Sequence, residues 1–429
     1  MPSIDSPATE ARGRRNADRS DPSGERHHLS DDAARTAGVI PLTAMLIGTI
    51  AIQTAIPPFA TDMYTPAFPR VVGDLGTTAS LVGLTLTTFF LGFALGQLVG
   101  GPWSDQRGRR VPILVGGAIC TLGAIGCALS PSVYWLIAAR VVQGFGGGIA
   151  AAVARAVIVD VARGTMLAKV MSVMQAIGGL APMIAPVVGA LVLTVANWRA
   201  VFWTLVIFGG LMVVTAALNI PETLAPERRH SGGLRRSLAG IVEVVRIRPF
   251  LAYMLTSAFS GFGMMAYIAN SSYVLQVMKG MRPITFSLFF AATAFTQVLL
   301  SIVNSRLVGR VAPRRLITIG LTSSSLAILT LVLGVFFWGT PLIPTCAGFM
   351  VLMASQAFVF GNAGALAASK ATHIAGAAAA VQGVAQSLAG ALAAPLASAG
   401  GGATAVPMVL VMVTGATLSI TALTIAKRY

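Results

Sequence analysis

Four carboxylates, Asp62, Asp74, Asp105 and Asp160, stand within or at the edges of apolar sequence in the first half of this chain, with Arg140 deep inside one apolar run. Beyond Glu243 there is no Asp or Glu at all, although the chain runs on to Tyr429. A carboxyl among apolar residues can hold and release a proton, and a nearby guanidinium biases that equilibrium towards the ionised form. Proton-linked chemistry therefore belongs to the stretch from Asp62 to Asp160. Catalytic chemistry has no comparable foothold. The four histidines (His27, His28, His230, His373) form no cluster, and Cys120, Cys127 and Cys346 fit neither a metal site nor a disulfide framework. The cysteines read as small core residues, and neither a cofactor, a metal nor an enzyme active site is expected.

The elements that carry these groups follow from composition. Of 429 residues, 55% are hydrophobic and only 10% charged, with a mean hydropathy of +0.79. Soluble domains carry about 25% charged residues, so the main solvent of this chain is lipid. The net charge of +16 does not signal nucleic acid, because the basic residues form short clusters between long apolar runs, as in cytoplasmic membrane loops. Twelve runs approach the roughly 20 residues that cross a bilayer, from 39–65 to 404–426. A polar stretch parts the sixth (199–219) from the seventh (249–276). The expected organisation is a disordered cytoplasmic tail over 1–36, with six Arg against seven Asp or Glu. Six-helix halves over 37–220 and 248–429 follow, joined by a cytoplasmic linker over 221–247.

With both termini cytoplasmic, 19 of the 24 Lys and Arg residues beyond the tail fall on the inner side. Only Arg70, Arg199, Lys279 and Arg282 fall outside, and Arg140 lies within a span. The halves echo each other. DQRGRRVPILVGG follows the second span, and 205 residues later RVAPRRLITIGL follows the eighth, with Arg310 where Asp105 would fall. Duplicated halves around a central cavity are a transporter arrangement.

Four segments carry the chemistry. In GPWSDQRGRRVPIL, Gly101, Asp105, Gly108, Arg109 and Arg110 lie between spans 2 and 3. Asp105 can cap a helix or face a neighbouring helix end, with the arginines as partners; a positive-inside anchor would account for the arginines but not for Asp105. In RVVQGFGGG, Arg140 is about 14 Å from the start of span 4 at 1.5 Å per residue. A charge at that depth should face a cavity and find a partner. Span 5 carries GGLAPMIAPVVGA, where Pro182 and Pro186 share a face and Gly189 lets a neighbour approach. Span 1 ends in ATDMYTPAFP, so Asp62 either meets a cavity or sits at the outer mouth. Asp160 belongs to the inner-face charges with Arg107 or Arg163. Remaining cavity candidates are the neutral Gln53, Tyr267, Asn270, Gln297, Gln382 and Gln386. Met63, Met183, Met264, Met265 and Phe289 would add adaptable apolar surface.

The loop at Gly101–Arg110 resembles the GxxxDxxGRR signature of the major facilitator superfamily, which implies an all-α fold of twelve transmembrane helices in two pseudo-symmetric six-helix bundles. There the Asp and Arg of the loop latch the outward-open state. Arg140, Gln143 and Gly144 resemble the RxxQG motif of proton-coupled members, and the span-5 prolines a Gly/Pro motif of antiporters, with Ala-Pro in place of Gly-Pro. Together with QTAIPPFATDMYTPAFP, NWRAVFW, YIANSSYVLQ and AGAAAAVQGVAQSLAGALAAPLA, the chain resembles the bicyclomycin/chloramphenicol-type drug:proton antiporters from about Pro41 onwards. The resemblance implies that Asp62 binds proton or substrate. Thr54 stands where some relatives carry a second acid, a departure that speaks against strongly cationic drugs. The expected activity is proton-coupled efflux of hydrophobic drug-like molecules across the cell membrane by a monomer. The alternative is a proton-coupled exporter of an endogenous solute such as a sugar, amino acid or siderophore.

Overall fold

The computed structural model describes residues 43–162, 164–229, 241–371, 375–400 and 403–426. The tail expected over 1–36, Arg163 and the middle of the linker lie outside the described residues. Eleven described helices are long and apolar enough to cross a membrane, and a bent pair makes a twelfth. In chain order they are α1 (Ala44–Thr54 with Ile56–Asp74), α2 (Ala79–Arg107), α3 (Arg110–Ala128), α4 (Val133–Val161), α5 (Gly164–Val195) and α6 (Trp198–Asn219). The second half holds α7 (Arg248–Met278), α8 (Pro283–Leu307), α9 (Pro313–Phe337), α10 (Leu342–Ser369), α11 (Ala375–Ala397) and α12 (Val406–Ile425).

Helix starts follow local chemistry. Thr43, Thr78, Ser132 and Asn197 accept backbone N–H bonds from Leu46, Leu81, Trp135 and Arg199, opening α1, α2, α4 and α6 with side-chain caps. The second half opens α7, α8 and α9 with proline in the first turn instead, where its missing N–H costs nothing.

Packing repeats with a shift of six helices. α2 packs on α4 as α8 does on α10; α3 packs on α4 and α6 as α9 does on α10 and α12. The pairs α2–α11 and α5–α8 join the halves in the same symmetric way. Two bundles related by a pseudo-two-fold follow directly from these pairings.

Inside the first bundle the contacts are backbone to backbone. A Cβ on Gly92 would run into the Val141 carbonyl, on Gly96 into that of Phe145, on Gly144 into that of Phe89, and on Gly148 into that of Phe93. Gly92 and Gly96 on α2 thus interlock with Gly144 and Gly148 on α4, each pair one helical turn apart. Gly146 turns the other way, onto Cys120 of α3. The Gly-rich run after Arg140 therefore serves close packing on two sides.

α1 departs from the expected single run over 39–65. It bends by 41° after Thr54, where Pro57 and Pro58 remove the N–H groups that would continue the ladder. The TPAFP segment does not end it. Thr65–Ala67 forms a 3-10 turn and Phe68–Asp74 a further short helix. Asp62 consequently lies twelve residues before the end of the span and is 4% exposed, not at an open outer mouth.

Candidate functional site: a cavity and buried charges between two bundles

Arg140 is fully buried on α4. Its guanidinium donates to the Ala60 carbonyl at 2.9 Å, the Gln143 Oε1 at 2.8 Å and the Thr85 carbonyl at 3.2 Å. It lies 4.5 Å over the Phe89 ring, with Tyr64 and Phe202 at 5.3 and 5.9 Å. Carbonyl dipoles and π faces thus replace the water lost by this charge. Gln143 is more than a packing residue, since its side chain holds Arg140. One terminal nitrogen of Arg140, Nη2, is buried without a partner.

Asp62 sits two residues after Ala60, yet it forms no ion pair with Arg140. Its hydrogen-bond donor is the Thr61 hydroxyl at 3.0 Å. Gly189 of α5 presses against the Met63 carbonyl, where a Cβ would not fit. The Gly/Pro segment of α5, with Pro186 buried beside it, therefore brings backbone directly onto the Asp62 turn.

At the end of the molecule that bears the α2–α3 loop, Arg109 is the hub. It donates to Asp105 Oδ1 at 2.5 Å, Asp160 Oδ2 at 2.8 Å and Ser104 Oγ at 2.7 Å. Asp160 was expected to pair with Arg107 or Arg163. Arg107 is exposed, and Asp160 is instead shared by Arg109 and the Thr223 hydroxyl. Gly108 takes φ +92°, and a Cβ there would strike the Glu222 carboxylate. Glu222, a residue the sequence reading passed over, accepts from the backbone N–H of Arg109 at 2.8 Å, Leu224 at 3.0 Å and Arg110 at 3.4 Å. It caps α3 at its positive end. Partial burial opposes its charge, but these donors and Arg229 outweigh it and hold the carboxyl below its ordinary value of 4.5. The only sequence signal was an acid directly after the Pro that ends the sixth run. Arg110 reaches the Ala217 carbonyl at 3.0 Å, while Gly101 has open space at its Cβ.

A cavity of about 540 Å³ lies between the bundles. From the first half it is lined by Thr54, Pro57, Phe90, Phe93, Gln97 and Arg155, and from the second by Met264, Met265, Phe360, Gln382, Gln386 and Ser387, among others. Gln97, Arg155 and Phe360 place it on the loop-bearing side of their helices. The expected cavity residues divide accordingly. Gln382 and Gln386 line it, as do Met264 and Met265. Gln53 is buried and bonds the Met212 carbonyl of α6 at 2.7 Å. Met63 is buried under α5. Tyr267 is buried against Phe290 and Phe349, with its hydroxyl 3.0 Å from that of Thr293. Asn270 is buried with neither side-chain atom paired. Met183, Phe289 and Gln297 are half-buried outside the lining. Helix periodicity alone could not separate these faces in spans that are apolar all round. Arg155 was missed because its closeness to the end of its run made it read as a loop cation.

The opposite end is closed across the bundles. Ser80 Oγ donates to the Ser398 carbonyl at 3.2 Å and Thr87 Oγ1 to that of Ala391 at 2.6 Å, joining α2 to α11. Gln276 Nε2 donates to the Pro66 carbonyl at 3.3 Å, and the Phe68 and Tyr273 rings meet at 6.1 Å. The sequence phrases TPAFP and YIANSSYVLQ are thus the two faces of one contact. NWRAVFW acts nearby: Trp198 and Arg199 both bond Asp74 Oδ2, at 2.9 and 2.6 Å.

Comparison with known proteins agrees with this architecture. The family model of the Major Facilitator Superfamily matches residues 50–394. An uncharacterized MFS-type transporter of Bacillus subtilis, YdgK, is 34% identical over 371 residues, covering 86% of this chain and 91% of the relative. A bicyclomycin resistance protein homolog of Haemophilus influenzae is 31% identical, covering 78% and 84%. The multidrug resistance protein MdtL of Escherichia coli is 26% identical, covering 68% and 75%. Among solved structures, a D-xylose–proton symporter superposes with a TM-score of 0.69 at 16% identity, over 89% of this chain and 97% of that one, which speaks to the fold. Twelve spans in two pseudo-symmetric bundles, the Asp105–Arg109 loop and these relatives together identify the chain as a multi-pass membrane transporter, not an enzyme, of the major facilitator superfamily, akin to its drug:proton antiporters.

Proposed function

We propose that this transporter exports hydrophobic, drug-like molecules in exchange for entering protons, as a monomer in the cell membrane with both termini cytoplasmic. The observation that carries this reading is Asp62, a buried carboxyl inside a span, with a hydroxyl partner and no cation, on a bent helix between the cavity and the closed end. A carboxyl so placed can hold a proton while the bundles enclose it and give it up when their movement opens a path to water. In this orientation the cavity faces the cytoplasm and the Ser80–Ser398 and Pro66–Gln276 contacts seal the outside.

The cycle is a rocker-switch exchange. Substrate enters from the cytoplasm as Asp62 gives up its proton, and the bundles rock so that the outer contacts part. Substrate leaves, Asp62 is protonated from outside, and the bundles return. Arg140 supplies the bias: a guanidinium beside a carboxyl favours its ionised form, and one held away does not. The Arg109 network with Asp105, Asp160 and Glu222 sets the balance between the two states.

The test is uptake into inside-out vesicles of a panel of fluorescent and antibiotic compounds, with and without an imposed pH gradient. Export of panel members should rise when the gradient drives protons towards the cytoplasmic face. Export indifferent to the gradient would sink the coupling. The polar lining of Gln97, Gln382 and Gln386 also suits an endogenous solute, so sugars, amino acids and siderophores belong on the same panel.

A further inference from the structure

Arg155 projects from α4 into the cavity, six residues before the end of the helix, about 9 Å along its axis. Its side chain is exposed to that space. Among the described residues it has no hydrogen-bond or ion-pair partner, unlike Arg109 and Arg140. The described lining holds no carboxylate: Thr54, Gln97, Gln382, Gln386 and Ser387 are neutral, and the remainder is mainly aromatic, Met, Pro or small. No counter-ion can come from α7–α12 either, because the chain has no acid after Glu243.

We propose that Arg155 is the anchor for an anionic group on the transported molecule, a carboxylate or an oxyanion of similar shape, with the rest of the molecule apolar or aromatic. The proposal deepens the export reading and rests on the same cavity. A guanidinium within the membrane's thickness gains most from a partner that meets its fork with two oxygens. Phe90, Phe93 and Phe360 offer ring faces, and Met264 and Met265 offer deformable apolar surface for a body of varied shape. Gln382 and Gln386 add neutral donors and acceptors that do not discriminate by charge. The sign of the cavity does. It carries one positive charge, so a cationic molecule is repelled by Arg155 and finds no carboxylate to offset the repulsion.

The test uses purified full-length protein in detergent at pH 7 and three naphthyl probes that differ in the end group: 1-naphthylacetate, 1-naphthylacetamide and 1-naphthylethylamine. The acetate should bind about tenfold or more tightly than the acetamide, the scale of one charge-assisted hydrogen-bonded pair, and the amine more weakly than either. Arg155→Gln should bring the acetate down to the level of the acetamide, with an unchanged melting temperature as the folding control. Arg155→Lys should keep an intermediate preference, and it decides the matter if Arg155→Gln binds neither probe. An acetate no tighter than the acetamide in the natural protein, or a preference that survives in both variants, overturns the proposal. No proton gradient enters the measurement, so it can fail while coupling stands, and coupling can fail while it stands.

Discussion

Arg140 bonds the Ala60 carbonyl, two residues before Asp62, and still does not pair with Asp62: its bonds go to the Ala60 and Thr85 carbonyls and to Gln143. That separation makes Asp62 the group whose substitution is most informative. Asp62→Asn keeps the size and the Thr61 bond of the side chain, so the protein should fold. Substrate added to the purified, weakly buffered variant should release no proton. Release equal to that of the natural protein would place the exchanged proton elsewhere. Glu222 makes a different prediction. A carboxyl held below its ordinary value stabilises the folded chain fully above that value of 4.5 and loses its contribution as pH falls through the lower, folded value. Glu222→Gln should lower stability by about 1 kcal/mol at pH 7, the scale of a helix cap. The gap in melting temperature between the two proteins should then narrow below pH 4.5; a gap that widens there would contradict the cap. Asp62, Asp105 and Arg140 were legible in sequence because a charge in an apolar run announces itself. Glu222 and Arg155 were not, since acids and bases near span ends look like ordinary loop charges until the fold turns them inward.

At the scale of helices, the seam between α2 and α4 is set by absent side chains. Gly96→Ala places a methyl against the Phe145 carbonyl and should force the pair apart, at about 1–3 kcal/mol for overpacking. Gly101→Ala on the same helix meets nothing within 4 Å and should be neutral or slightly stabilising, since alanine favours helix. Melting of the two variants in detergent checks the contrast, and equal loss in both would refute the seam. The number and order of the spans were readable because lipid demands long apolar runs. The course of α1 was not. Its span was expected to end in the TPAFP segment, whereas the chain re-forms short helical pieces there, packed on α5 and the C-terminal part of α7. Which face of each span meets the cavity was also hidden, because helices buried on one side and lipid-facing on the other are apolar on both.

For the whole molecule, closure at one end and a cavity at the other make up one of the two arrangements that the proposed cycle needs, and the closure is local enough to trap. Ser80→Cys with Ser398→Cys, in a background lacking Cys120, Cys127 and Cys346, should cross-link under oxidation and stop transport, and reduction should restore it. Transport that continues in the cross-linked protein would show that α2 and α11 need not separate there. The pseudo-two-fold was legible in the echo of DQRGRR by RVAPRR, but its asymmetry acquires meaning only in the fold: Arg109 has two carboxylates, whereas Arg314 at the matching place has buried Nε and Nη2 atoms without partners.

That asymmetry has an electrical side. The charges set inside spans, Asp62, Arg140 and Arg155 among them, ride on the first bundle, while the charged residues of α7–α12 lie at their ends. A membrane voltage does work of about 2.3 kcal/mol per elementary charge per 100 mV, and only on charges that move through the field. In the proposed rocker-switch cycle, the voltage would therefore act on the buried charges of the first bundle and on the carried proton and substrate, and not on the spans of the second bundle.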